Sequence, residues 1–167
     1  MMPFPTFTFR TIAVASALTV GTQAFAQAAP ERRPIPNFPI SSSVAMPDHK
    51  GLVFVSGTVP AAVDENVERG KVERYGDTET QTRSILEKIK AELAHHGLDM
   101  GDVVMMRVFL VAPPGEEHMD FAGMMRAYSQ YFGTETQPNT PSRSAMQVAG
   151  LVDPGWLVEI EVTAAKR

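Results

Sequence analysis

VVMMRVFLV, residues 103–111, carries one charge, Arg107, in nine positions. A strand with one wet face alternates polar and apolar residues; this one does not, so it reads as a central strand covered on both faces. Asp102 precedes it and Pro113-Pro114-Gly115 breaks the run beyond it. Upstream, Ile85, Leu86, Ile89 and Leu93 recur at three- and four-residue spacings and predict a helix from Asp77 or Thr78 to His96. Asp77 or Thr78 supplies the cap, and Gly97 the stop. Downstream, Phe121, Met124, Met125, Tyr128 and Phe132 predict a second helix over 118–132, ended by Gly133. Strands are expected at 41–46, at 52–55 (LVFV, closed by Ser56-Gly57), at 142–148 and at 157–163. In the last, Val158, Ile160 and Val162 share one face, and Glu159, Glu161 and Thr163 the other. The polar segment 61–76 reads as an exposed connection. The order strand, strand, helix, strand, helix, strand, strand describes one small α/β domain. Two helices are too few to cover both faces of such a sheet, so another copy of the chain is the simplest cover for the second face.

The first residues read differently from the rest. Arg10 precedes an uncharged stretch, TIAVASALTVG at 11–21, which is too short to span a bilayer and runs into Ala24-Phe25-Ala26. Together these predict a signal peptide over 1–26, cleaved after Ala26, with a periplasmic or secreted product and no stable membrane anchor after cleavage. The plainer alternative is a hydrophobic N-terminal helix that stays attached. Residues 27–40 hold four prolines and read as an extended lead-in without a core of its own; the domain is expected over 41–167. Loss of Arg10 takes the formal charge from −4 to −5. An acidic domain is a poor electrostatic partner for nucleic acid, so none is expected. With no cysteine there is neither a disulfide framework nor a thiol nucleophile.

Few residues present themselves for chemistry. Arg143 stands at the entrance to a strand, where a guanidinium can hold a carboxylate through two parallel hydrogen bonds. The alternative is a solvated arginine, or one paired with Glu161. Glu159 lies between Val158 and Ile160, where a partly desolvated carboxylate suits a general base; the alternative is that Glu159 and Glu161 simply line a wet face. His49, His95, His96 and His118 show no HxxxH or HxH spacing, so no metal site is expected. Met105, Met106, Met124 and Met125 read as core filler. No phosphate-binding loop, dinucleotide fingerprint or G-x-S-x-G elbow occurs.

Taken together, Thr140-Pro-Ser-Arg-Ser-Ala-Met-Gln-Val-Ala-Gly-Leu and Leu157-Val-Glu-Ile-Glu-Val-Thr-Ala resemble the RidA (YjgF/L-PSP) family, whose pattern is P-x-R-S followed by (V/I)-E-I-E-x-x-A. Leu52-Val-Phe-Val-Ser-Gly, Gln81-Thr-Arg with Ile85 and Leu86, Asp102-Val-Val, and Asp120-Phe-Ala with Tyr128 and Phe132 extend the resemblance over about residues 41–165. It implies an α+β, chorismate-mutase-like mixed sheet with two helices on one face, assembled as a homotrimeric barrel with pockets between subunits. It also implies cofactor-free hydrolysis of enamines and imines such as 2-aminoacrylate to a keto acid and ammonia. By motif position Arg143 would bind the substrate carboxylate, and Glu159 would orient the attacking water. Ser56, Gly57 and Ala145 would line the pocket, the last two through backbone groups. Three positions depart from the pattern: Ser43 stands at the usual tyrosine, Met125 at a common asparagine, and Ala145 at a frequent cysteine. These departures point to a more apolar substrate, or to a non-catalytic relative that binds small carboxylates or acts as a chaperone.

Overall fold

The structure, a computed structural model, describes residues 31–34, 36–37, 39, 41–45 and 51–166. The leader read at 1–26 and the start of the lead-in lie outside the described residues. The elements are β1 (Glu31–Pro34), β2 (Ser41–Ala45), β3 (Gly51–Thr58), α1 (Thr78–His95), β4 (Val103–Leu110), α2 (Phe121–Tyr128), β5 (Ser142–Gln147) and β6 (Val158–Lys166), with short 3-10 turns at Val72–Arg74 and Met100–Asp102. The strands form one sheet in the order β1-β2-β5-β4-β6-β3. The β2–β5 and β5–β4 pairs are parallel and the others antiparallel. This is the mixed α+β sheet that the motifs implied, with both helices on one face.

The Asp77 carboxylate accepts from the Thr80 N–H at 2.8 Å and fixes the start of α1, and Ile85, Leu86, Ile89 and Leu93 are fully buried. Helix α2 is shorter than the 118–132 its spacing predicts. It begins at Phe121 because the Asp120 carboxylate caps the Gly123 N–H at 2.7 Å. Phe132 lies beyond its last turn, yet stays buried by stacking on Tyr128 at 4.8 Å between ring centroids. The apolar period therefore outlasts the helix. Val104, Met106, Val108 and Leu110 of β4 and Val158, Ile160 and Val162 of β6 are buried, most of them in the core beneath the helices.

Three strand boundaries differ from expectation. The lead-in contributes a strand: β1 pairs with β2, and Arg32 donates to the Gly101 carbonyl at 2.8 Å. Pro34 falls on an edge strand, the place in a sheet where proline is tolerated. Strand β3 does not close at Ser56-Gly57 but passes through them with a shift of register between Val55 and Thr58. Strand β6 continues to Lys166, burying Ala164 and Ala165.

The connection at 61–76 is largely exposed but pinned at its end. Buried Tyr75 donates from its hydroxyl to Asp153 Oδ2 at 2.8 Å, and Asp153 Oδ1 accepts from the Gly155 N–H at 2.8 Å. Gln81, fully buried on α1, donates to the carbonyls of Gly76 and Gly155 and accepts from the Leu157 N–H at 2.8 Å, tying the helix to the entrance of β6. Burial alone would push the Asp153 carboxyl up; the Gly155 N–H, the Tyr75 hydroxyl and Arg69 outweigh it and hold its pKa below the ordinary value. A depressed carboxyl contributes stability above the pKa it has in the unfolded chain and loses it as pH falls through the folded value. Thermal denaturation from pH 7 downward is thus expected to show an acid loss of stability that is smaller in Asp153→Asn, a variant less stable at pH 7.

On the face away from the helices the sheet is open. Phe54 is 74% exposed there, beside Leu52, Met105 and Met146, each more than one-third exposed. Arg107 and Glu161 pair across this face at 3.3 Å. Such an exposed pair contributes little to stability, and the face is mixed: Glu159, Thr163 and Ser144 share it with the apolar patch of Phe54, Leu52, Met105 and Met146.

Candidate active site

Arg143 pairs across the sheet with Met106, whose side chain lies in the core beneath the helices, so the guanidinium also faces α2. It is half-buried. Its Nη1 stands 3.2 Å from Met125 Sδ and 4.0 Å from Met124 Sδ. Its central carbon lies 4.2 Å from the Tyr128 ring centroid and 5.8 Å from that of Phe121. Tyr128 and Met124 are fully buried, so this wall is fixed; the Tyr128 hydroxyl also donates to the Pro39 carbonyl at 2.8 Å. Burial lowers the Arg143 pKa and the neighbouring Tyr128 acts in the opposite sense; the group stays charged at any ordinary pH. Burial raises the Tyr128 pKa, against the pull of Arg143, so the phenol is neutral. The result is a cation backed by two rings and two thioethers, a seat favoured by cation–π attraction and suited to a small anion.

Ala145, the next residue of β5 on the same face, pairs with Val108 and packs against the core. Ser43 lies in β2, the strand beside β5, where Ser41 stands opposite Ser142. Met125, read as core filler, packs against the core and also stands against Arg143, whereas Met105 is on the open face; Met106 and Met124 are core residues. Phe121, Met124 and Tyr128 were legible only as helix periodicity. With Met125 they fall at i, i+3, i+4 and i+7, the spacing that puts four side chains on one wall.

Glu159 lies elsewhere. It pairs with Phe109 of β4, two residues from Glu161 and on the same open face. Its carboxylate rests on Gly57. A Cβ there would overlap Oε1 and come within 2.9 Å of Cδ, so the shifted register at Ser56-Gly57 makes room for the acid. A depression of about 230 Å³ is lined by Phe54, Ser56, Met105, Arg107 and Glu161, among others, and not by Glu159. A second, of about 330 Å³, runs past Gly57 toward Lys88 and Glu92.

The expected site residues thus form two clusters. Arg143, Met125 and Ala145 lie on the helix side, and Ser56, Gly57 and Glu159 on the open side. The sheet separates Arg143 from Glu159 within one chain. Glu161 pairs with Arg107 and not with Arg143. Among the described residues, no group of three or more histidines, aspartates or glutamates is placed to hold a metal ion.

Residues 31–166 match the family model described as Endoribonuclease L-PSP. The chain is 35% identical over 126 residues to the 3-aminoacrylate deaminase RutC of Acinetobacter baylyi, covering 75% of this chain and 88% of that one. It is 33% identical over 136 residues to a RutC family protein of Pyrococcus abyssi, covering 81% and 93%. Among solved structures it resembles E. coli TdcF with bound serine, with a TM-score of 0.56 and 30% identity over 81% of this chain and 94% of that one.

Proposed function

The chain belongs to the Endoribonuclease L-PSP family, the RidA/YjgF group, and from that premise we propose that it hydrolyses reactive imines and enamines of the 2-aminoacrylate type to keto acids and ammonia, without a cofactor. The observation that carries this reading is the seat of Arg143 against Tyr128 and Met125. A guanidinium held there meets a substrate carboxylate with its fork already oriented, which lowers the ordering cost of binding. The relative named as a 3-aminoacrylate deaminase and the relative solved with serine bound support a small amino-acid-like substrate. An enamine first tautomerises to the imine. Glu159 then takes a proton from water as its oxygen adds to the C=N carbon, and passes that proton to the nitrogen; the new hydroxyl gives up its own proton as the C–N bond breaks, which leaves the keto acid, and the nitrogen departs with both protons as ammonia. The imine carbon is already electrophilic, so positioning supplies much of the rate.

Because the sheet separates Arg143 from Glu159, the site is completed in this reading by a second copy packed on the open face, in a homotrimer. Phe54, Leu52, Met105 and Met146 are the apolar surface such a copy would cover. Met125 at the pocket wall favours imines with apolar side chains, such as those of leucine or methionine. An amino-acid oxidase supplying imines, with semicarbazide trapping what remains, tests the proposal: the protein is expected to reduce semicarbazone yield, most of all for apolar side chains. Unchanged yield across the panel would reject it.

A non-catalytic role, in small-carboxylate binding or as a chaperone, is the second reading; it is favoured by the thioether that stands at Arg143. RNA cleavage, which the family description names, fits poorly with a formal charge of −4. Export to the periplasm or medium is part of the proposal. Intact mass of the native protein should place Gln27 first, and a product retaining Met1 would contradict export.

A further inference from the structure

We propose that Met125 is an oxidation site through which peroxides weaken carboxylate binding at Arg143. Met125 Sδ is 3.2 Å from Arg143 Nη1, and the residue is half-buried, whereas its neighbour Met124 is fully buried. A thioether is a weak hydrogen-bond acceptor. A peroxide transfers one oxygen atom to the sulfur: the thioether loses two electrons and becomes a sulfoxide, and the peroxide is reduced to water or an alcohol. The new oxygen is a strong, polar acceptor placed beside a cation. The fully buried Tyr128 ring lies 4.2 Å from the guanidinium carbon and Met124 Sδ 4.0 Å from the same Nη1, which limits how far Arg143 can move, and the Met125 side chain adjusts to present its oxygen to Nη1. The sulfoxide then competes with an incoming carboxylate for the same N–H groups. A sulfoxide reductase restores the thioether, so the change is reversible. Met105 and Met146 are also accessible, each 38% exposed, but they lie on the opposite face of the sheet and have no path to Arg143. The effect on binding rests on the proposed role of Arg143; the oxidation and its contact with the guanidinium do not.

The test separates these two parts. The full protein is treated with hydrogen peroxide, Met125 sulfoxide is quantified by peptide mass mapping, and modification of Arg143 by phenylglyoxal is timed. In wild type the sulfoxide should slow Arg143 labelling several-fold, and methionine sulfoxide reductase should restore the rate. Met125→Leu, oxidised equally at Met105 and Met146, should keep the untreated rate. Imine hydrolysis is measured on the same samples, and its loss should follow the labelling. A labelling change with no hydrolysis in any sample would sustain the Met125–Arg143 contact and reject the deaminase reading. The proposal is overturned if Met125 stays reduced while Met105 and Met146 oxidise. It is equally overturned if labelling is unchanged by the sulfoxide or slows as much in Met125→Leu.

Discussion

Arg143→Ala is expected to lower kcat/KM for imine hydrolysis by about one to two orders of magnitude while leaving the fold intact. The estimate follows from the bonds lost: a charge-assisted pair contributes about 1.5–3 kcal/mol net, and each 1.4 kcal/mol is tenfold. Stability should change little, because the guanidinium is only half-buried, and Tyr128 stays stacked on Phe132 and Met124 buried without it. Arg143→Lys should fail nearly as badly. An ammonium keeps the charge but cannot offer two parallel N–H groups to one carboxylate, nor stack on Tyr128 as a planar guanidinium does. Steady-state kinetics on a leucine- or methionine-derived imine, with a melting curve for each variant, check both expectations.

Glu159→Gln is expected to cut turnover by about 10²–10⁴-fold, the usual contribution of a positioned proton acceptor, with KM little changed. The amide keeps the shape that rests on Gly57 and removes the ability to take a proton. A loss confined to KM would instead make Glu159 a binding group. Gly57 offers a way to move the carboxylate without replacing it. A Cβ at that position would overlap Oε1, so the acid must swing away while the strand pairing stays.

Much of this arrangement was legible in the sequence, for identifiable reasons. Helix α1 was plain because its stripe, its Asp77 cap and its Gly97 stop agree. The open face of β6 followed from the alternation of Glu159, Glu161 and Thr163 with buried valine and isoleucine. Strand β1 was not legible, because Glu-Arg-Arg-Pro has no apolar alternation; its pairing with β2 and the Arg32 hydrogen bond are long-range features. The length of α2 was misread because Phe132 is buried by stacking on Tyr128 after the helix has ended. The division of the site was also hidden. Arg143 and Glu159 belong to strands that do not touch, and only their separate registers with β4, at Met106 and Phe109, show that they face opposite ways. The seat of Arg143 was hidden for the same reason: the wall of α2 was visible as a stripe, but not which strand it faced.

That division makes a direct test possible. Arg143→Ala and Glu159→Gln chains, each strongly impaired alone, are unfolded together in equal amounts, refolded, and assayed for imine hydrolysis after light scattering has confirmed an assembly of three chain masses. If each site takes Arg143 from one copy and Glu159 from its neighbour, random mixing in a ring restores about one site in four. The mixture should then recover roughly a quarter of the activity of wild type carried through the same refolding. A mixture that assembles as trimers yet stays as impaired as either variant alone would contradict a site shared between copies.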